Sequence, residues 1–183
     1  NNISLYSTWQ LELNVHAYPQ ADKLLHAKEN NISQQYILTD VAHLKESWEQ
    51  SRLFLMPINS NNGRIIGICG FEISSVYFQQ RTKQANYKGY PLITAILDKK
   101  ADNEYQGQLS NPASFVNATI KMSSDGEHEF FTAGQESFIG YTAPLKVGAS
   151  EHKVAVMLPA DSYYHLQQQA KMRLLIMLGI ILL

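Results

Sequence analysis

The order of apolar and polar residues predicts both strands and helices along the chain. Asn1–His16 alternates the two kinds of residue, which is the period of a half-buried strand. The spacing of Leu5, Trp9 and Leu13 also fits one face of a helix, so both structures remain open for this segment. Pro19 ends the element, because proline has no backbone amide hydrogen to donate.

A β-hairpin is the clearest element of the first half of the chain. Leu53–Ile58 forms one strand, Asn59–Gly63 is a turn sequence that contains Asn-Gly, and Arg64–Ile73 returns as the second strand. Two short helices are predicted before this hairpin, at Ala21–Lys28 and at Thr39–Arg52.

A second structural unit is predicted after a polar break at Gln84–Gly89. Its first strand is Tyr90–Asp98, and Pro112 opens a short helix at Ala113–Met122. Three further strands follow in series: Glu127–Thr132, Ser137–Lys146 and His152–Leu158. A strand, a helix and a three-stranded meander indicate an α+β fold with an antiparallel sheet.

The last segment predicts a helix that leads toward a membrane. Pro159 and Asp161 are typical of a helix start, because the aspartate accepts hydrogen bonds from free amides of the first turn. A polar stretch, Tyr163–Ala170, precedes the apolar run Leu174–Leu183, which is roughly half of the ~20 residues that a membrane-spanning helix needs. We interpret this run as the first half of a transmembrane helix, with a terminal core helix as the alternative.

Composition narrows the classes of function. The 183 residues are 45% hydrophobic and 17% charged, which are values of a globular protein. A net charge of −1 without a basic tract argues against nucleic-acid binding. Cys69 is the one cysteine and the six histidines lack metal-ligand spacing, so no disulfide framework, metal site or cofactor is predicted. No motif of a known catalytic site occurs, and no catalytic residue is predicted.

Two stretches resemble parts of a known sensor family. MPINSNNGRIIGICGFEISSVYFQ (Met56–Gln79) resembles the end of the membrane-distal subdomain of double Cache sensor domains. Ser137–Gln167, which contains YTAPL and VAVMLP, is similar to the end of the membrane-proximal subdomain and its exit helix. The resemblance implies PAS-like antiparallel sheets flanked by helices. It also implies a shortened distal subdomain with a connecting helix at 1–83, a proximal subdomain at 84–160, and an exit helix with the start of the membrane span at 161–183.

The resemblance also implies a role. Double Cache domains are extracytoplasmic small-molecule sensing domains of bacterial receptors that are diguanylate cyclases, histidine kinases or chemoreceptors. The implied protein is non-enzymatic in this part, forms a homodimer in the full receptor, and lies in the bacterial inner membrane with its ectodomain in the periplasm. The alternative is a membrane-anchored cytoplasmic adaptor, which Lys171 and Arg173 favour because basic residues next to a span tend to stay inside.

Five residues are candidates for a ligand-binding pocket. Glu72 interrupts an apolar strand, and a buried carboxylate needs a cationic or hydrogen-bonding partner such as a ligand amine. Trp48, Arg52, Tyr36 and Trp9 are predicted to line the same pocket by stacking or by an arginine–carboxylate contact. Packing in the core or exposure at the surface is the alternative for each residue. The Arg-x-Trp-Tyr cluster of amino-acid-binding Cache domains does not occur, so an amino-acid ligand is not predicted.

Overall fold

The protein is mostly β-structure followed by one long helix. The computed structural model describes residues 20–21, 24, 36–43, 50–74, 77, 85–110, 117–148 and 150–182. The predicted strand or helix at Asn1–His16 lies outside these residues. The α+β class is therefore confirmed in its broad form, because antiparallel sheets and a helix occupy separate parts of the chain.

The first sheet is built around the predicted hairpin. Strand β3 (Gln50–Asn59) pairs antiparallel with β4 (Ile65–Ser74) on one side. On its other side β3 pairs with two short strands, β1 (Ile37–Leu38) and β2 (Ala42–His43). The connecting turn has Gly63 at a φ of 80°, where a side chain would be strained, which explains the Asn-Gly sequence.

The sheet buries an apolar cluster on one face. Its members are Ala21, Leu24, Ile37, Leu53 and Leu55. Ala21 and Leu24 have helical backbone, in agreement with the helix predicted at Ala21–Lys28. Because side chains alternate along β3, Arg52 and Phe54 lie on the opposite face of the sheet.

Six strands form a closed antiparallel barrel after a small hairpin of β5 (Asn86–Tyr87) and β6 (Tyr90–Pro91). They are β7 (Ile93–Ala101), β8 (Glu104–Leu109), β9 (Asn117–Ser124), β10 (Glu129–Ala133), β11 (Glu136–Val147) and β12 (Ser150–Pro159). Each strand pairs with the next, and β12 pairs back with β7, so that Ala155 lies opposite Ala95. Closure satisfies the backbone hydrogen bonds that an open sheet leaves at its edges.

Inward-facing side chains fill the barrel. The buried set comprises Ile93, Ala95, Leu97, Tyr105, Leu109, Ile120, Phe131, Phe138, Ala155 and Met157. On β7 and β12 these are the odd-numbered residues, which is the period-2 pattern of a strand with one face in a core. The even-numbered residues of the same strands face away from the barrel interior, and they include Asp98 and His152.

The long helix, Ala160–Leu182, begins where β12 ends. Asp161 lies in its first turn, as predicted, and none of its described residues is buried. Its first turns contact the barrel through a hydrogen bond between Tyr163 and His128, and the β5–β6 hairpin through one between His165 and Tyr90. None of the helices in the described part of the chain combines the length and the apolar character that crossing a membrane requires.

Three structural predictions are corrected. The closed barrel is not the PAS-like sheet with flanking helices that was predicted, because β12 returns to pair with β7. Within the helix predicted at Ala113–Met122, Asn117–Met122 instead belongs to strand β9, which pairs with β8 and β10. Within the helix predicted at Thr39–Arg52, Ala42–His43 instead forms β2, and residues 50–52 begin β3.

Candidate functional site

A buried cluster of charged side chains lies where the first sheet meets the barrel. The two units touch at a β-bridge between Ile37 and Gly148, and the amide of Leu38 donates to Oγ of Ser150 at 3.0 Å. Arg52 enters this junction from β3, while Asp98 and His152 enter it from the outer faces of β7 and β12. Because side chains alternate along β7 and β12, Asp98 and His152 lie on the barrel surface rather than in its core.

Arg52 and Asp98 form a buried ion pair across the junction. Nη1 of Arg52 lies 2.8 Å from Oδ1 of Asp98, and their side chains are 4% and 1% exposed. The same Nη1 donates to the carbonyl oxygen of Thr39 at 3.1 Å. The other carboxylate oxygen of Asp98 accepts a hydrogen bond from the amide of Val41 at 3.2 Å. Asp98 thus accepts hydrogen bonds from the side chain of Arg52 on β3 and from the backbone of Val41, between β1 and β2.

His152 contacts acceptors with both of its ring nitrogens. Nδ1 lies 2.9 Å from Oδ1 of Asp98, and Nε2 lies 3.0 Å from the carbonyl oxygen of Leu38. A carboxylate and a carbonyl have no hydrogen to donate, so both bonds form together only when the imidazole carries both protons. The geometry therefore favours a positively charged His152 next to Asp98.

The pKa of Asp98 is set by opposing effects. Burial raises the pKa of this carboxyl, but the hydrogen bond to His152 and the positive charge of Arg52 lower it further than burial raises it. The net pKa lies below the ordinary value of 3.8, so Asp98 is ionised at neutral pH.

A second carboxylate lies at the rim of the cluster. Oδ1 of Asp40 is 4.0 Å from Nδ1 of His152, and its Oδ2 is 3.3 Å from Nζ of Lys100. The cluster therefore holds the carboxylates of Asp40 and Asp98 against the cations Arg52 and Lys100 and against the imidazole of His152.

Asp40, Asp98 and His152 also satisfy the spacing of a metal site, since their ligand atoms lie within 4.8 Å of one another. A histidine must lose a proton to bind a metal ion, whereas both nitrogens of His152 face hydrogen-bond acceptors. Arg52 and Lys100 add positive charge beside the same carboxylates. The donor set is therefore better suited to an ion-pair cluster than to a divalent cation.

Part of Arg52 is buried without a partner. Among the described contacts, Nε and Nη2 of Arg52 have no hydrogen-bond acceptor, although both atoms are inaccessible to solvent. A buried donor without an acceptor costs about 1–3 kcal/mol, so a pair of them in one side chain calls for an explanation.

The predicted pocket residues are only partly brought together. Arg52 lies in the junction, and the partly buried ring of Tyr36 lies 5.5 Å from Phe54, which shares the sheet face of Arg52. Glu72 is exposed on β4, and its Cα partner is Leu53, so it lies on the other face of the sheet. Trp9 and Trp48 lie outside the described residues. The ligand-binding role of these five residues stays a prediction.

Sequence reasoning missed Asp98 and His152. Asp98 follows the apolar residues Ile96 and Leu97, and His152 stands at the start of an apolar strand. A single charged residue within a predicted apolar strand is the signal that marks both positions, because burial of a charge requires a partner. The partner cannot be read from the sequence, since the two residues are 54 positions apart.

Comparisons with known proteins give no relative for this chain. No protein-family model matches it, and searches of curated proteins and of solved structures find no significant match.

Proposed function

We propose that this chain is the extracytoplasmic sensing domain of a bacterial membrane receptor, in which a small molecule acts at the junction of the sheet and the barrel. The observation that carries the proposal is the course of β12. This strand holds His152 in the junction cluster and continues directly into the long helix at Ala160. A change at the junction therefore has a short covalent route to the helix.

The route is stiff along its length. From His152 to Pro159 the strand extends about 23 Å at ~3.3 Å per residue. It is paired with β11 over this whole length and with β7 from Lys153 to Met157. The helix adds roughly 35 Å at ~1.5 Å per residue. A ligand that binds one arrangement of the junction more tightly than another shifts the population of the two, and the helix moves with them.

The far end of the helix supports a membrane association. Leu174, Leu175, Ile176, Met177, Leu178, Ile180, Ile181 and Leu182 are all exposed. A continuous apolar surface around a whole helix is unusual for a face in contact with water and is typical of one in contact with lipid or protein. In the proposed receptor, this end of the helix enters the membrane.

A second candidate is a membrane-anchored cytoplasmic adaptor. Lys171 and Arg173 stand directly before the apolar end of the helix, and basic residues flanking a membrane segment favour the cytoplasmic side. The adaptor needs no small-molecule ligand, whereas the sensor does. Ligand binding coupled to helix movement therefore separates the two proposals.

The test uses the whole chain in lipid nanodiscs, with Cys69 changed to Ser and spin labels on cysteines at Thr119 and Lys171. Thermal-shift screening with amino acids, carboxylates, amines and nucleobases identifies a class that raises the melting temperature. We expect that class also to change the distance between the barrel label and the helix label. The sensor proposal fails when no class raises the melting temperature, or when a stabilising class leaves the distance unchanged.

A helix-breaking variant serves as the control. Gln168 is exposed on the helix, so Gln168→Pro interrupts the helix without removing a buried side chain. The ligand should still raise the melting temperature of this variant, while the change in label distance is lost. Gln168→Ala keeps the helix and should keep both responses.

A further inference from the structure

The guanidinium of Arg52 has one occupied and one free edge. Both of its described hydrogen bonds, to Asp98 and to Thr39, use Nη1. Nε and Nη2 are buried and have no acceptor among the described residues. These two donors lie on the same edge of the planar group, and their parallel N–H bonds match the two oxygens of a carboxylate.

The charge of the junction also favours an anion. When both ring nitrogens of His152 donate to the acceptors they face, Arg52, Lys100 and His152 outnumber the carboxylates of Asp40 and Asp98 by one. Arg52 is 3% exposed, so its charge is poorly screened by water. One bound carboxylate would balance the cluster and supply acceptors to both free donors.

Aromatic surface lies beside the guanidinium. Phe54 follows two positions after Arg52 on the same face of β3. Its ring lies 5.1 Å from the ring of Phe71 and 5.5 Å from that of Tyr36. Phe71 is 57% exposed, so this aromatic group remains open to a partner on one side. The neighbouring chemistry suits an apolar or aromatic body attached to the carboxylate.

We propose that the free Nε and Nη2 edge of Arg52 binds the carboxylate of a small apolar acid at the junction of the sheet and the barrel. The ligand's apolar body lies toward Phe54, Tyr36 and Phe71. This inference rests on the proposed sensing function and names its ligand class. Binding tightens the junction because the carboxylate neutralises the excess positive charge beside Asp98.

The first experiment titrates the whole chain with benzoate and phenylacetate by calorimetry and thermal shift, with neutral benzamide as the matched compound. We expect saturable binding of the acids and none of benzamide. Arg52→Lys keeps one positive charge for Asp98 but lacks the forked edge, and it should weaken binding roughly 10- to 100-fold. Arg64→Lys, at an exposed arginine, should leave binding unchanged.

A second measurement does not depend on the folding of a variant. In the nitrogen-15 spectrum of the unaltered chain, benzoate should shift the Nε–H signal of Arg52, which Arg52→Lys assigns by its loss. Equal binding to the Arg52→Lys and Arg64→Lys variants, or an unshifted Nε–H signal at saturation, overturns the carboxylate site.

Different results would overturn the carboxylate site and the sensing function. Stabilisation and helix movement caused by an amine or a nucleobase alone overturn the carboxylate site and leave the sensor standing. Benzoate binding at Arg52 without any change in the distance between the barrel and helix labels supports the site and overturns the relay.

Discussion

The hydroxyl of Tyr163, in the first turn of the long helix, lies 3.0 Å from Nε2 of His128, in the turn between β9 and β10. The two rings also meet edge to face, with centroids 5.5 Å apart. This pair holds the base of the helix to the barrel, and the hydrogen bond between His165 and Tyr90 of β6 holds it to the small β5–β6 hairpin. The helix is therefore fixed by side chains as well as by its covalent link.

Removing the hydroxyl of Tyr163 should loosen the base of the helix. Tyr163→Phe loses one partly buried hydrogen bond, which corresponds to about 0.5–1.5 kcal/mol. We expect faster amide hydrogen exchange in the first helical turns and a small fall in the free energy of unfolding measured in urea. Tyr164→Phe, at the exposed neighbouring ring, is the control and should change neither quantity.

Loss of the Asp98 carboxylate should destabilise the whole protein. Asp98→Asn leaves Arg52 buried without a counter-charge, and breaking a buried ion pair typically costs about 3–5 kcal/mol. Urea unfolding measures the change. Asp102→Asn, whose side chain is 99% exposed in a surface ion pair with Lys99, should cost about 0–1 kcal/mol. Similar losses for both variants would contradict a special role of the junction cluster.

The lowered pKa of Asp98 predicts that the protein loses stability at low pH. The pKa of Asp98 is lower in the folded protein than its ordinary value of 3.8, so its contribution is complete above that value. The contribution is lost as the pH falls through the lower folded pKa, at a rate of at most about 1.4 kcal/mol per pH unit. Unfolding free energies between pH 2 and 6 should therefore fall more steeply for the unaltered chain than for Asp98→Asn.

A second aspartate provides the control for this pH dependence. Backbone hydrogen bonds from His128 and Glu127 lower the pKa of Asp125, which lies in an exposed turn. The variant Asp125→Asn should keep the part of the fall in unfolding free energy at low pH that depends on Asp98. Identical pH profiles for Asp98→Asn and the unaltered chain would show that Asp98 does not cause the loss of stability at low pH.

Gly140 marks a place where two barrel strands approach closely. A Cβ atom there would overlap the carbonyl oxygen of Val156 and lie 2.8 Å from Cα of Met157, both on β12. Gly140→Ala should therefore destabilise the barrel by about 1–3 kcal/mol through overpacking. Gly179→Ala, in the helix where a Cβ meets nothing within 4 Å, should be neutral or stabilising by about 0.5–1 kcal/mol. Thermal unfolding of the two variants gives the comparison.

Local signals predicted the elements that local chemistry determines. The hairpin of β3 and β4 follows from Asn-Gly and its flanking apolar residues, and the helix start follows from Asp161 after Pro159. Oγ of Ser74 accepts a hydrogen bond from the amide of Tyr77 at 3.1 Å, which is the local bond of a serine helix cap.

The incorrect structural predictions have a long-range cause. Asn117–Ser124 has neighbours on both sides in the barrel, and this pairing overrides the helix start that Pro112 suggested. Barrel closure depends on β12 meeting β7, which lies far away in the sequence. The candidate site has the same origin, because Arg52, Asp98 and His152 come from three strands that only the completed fold brings together.

The pairing of β12 with β7, which closes the barrel, has a consequence for synthesis of the protein. The ribosome makes β7 long before β12. Until β12 is made, the first five barrel strands can form only an open sheet, whose two edge strands have unpaired backbone hydrogen-bonding groups. Such an open sheet can bind chaperones or pair wrongly with neighbouring chains until β12 has been synthesised. Because the long helix follows that strand directly, the barrel can close only at about the time when this helix is synthesised.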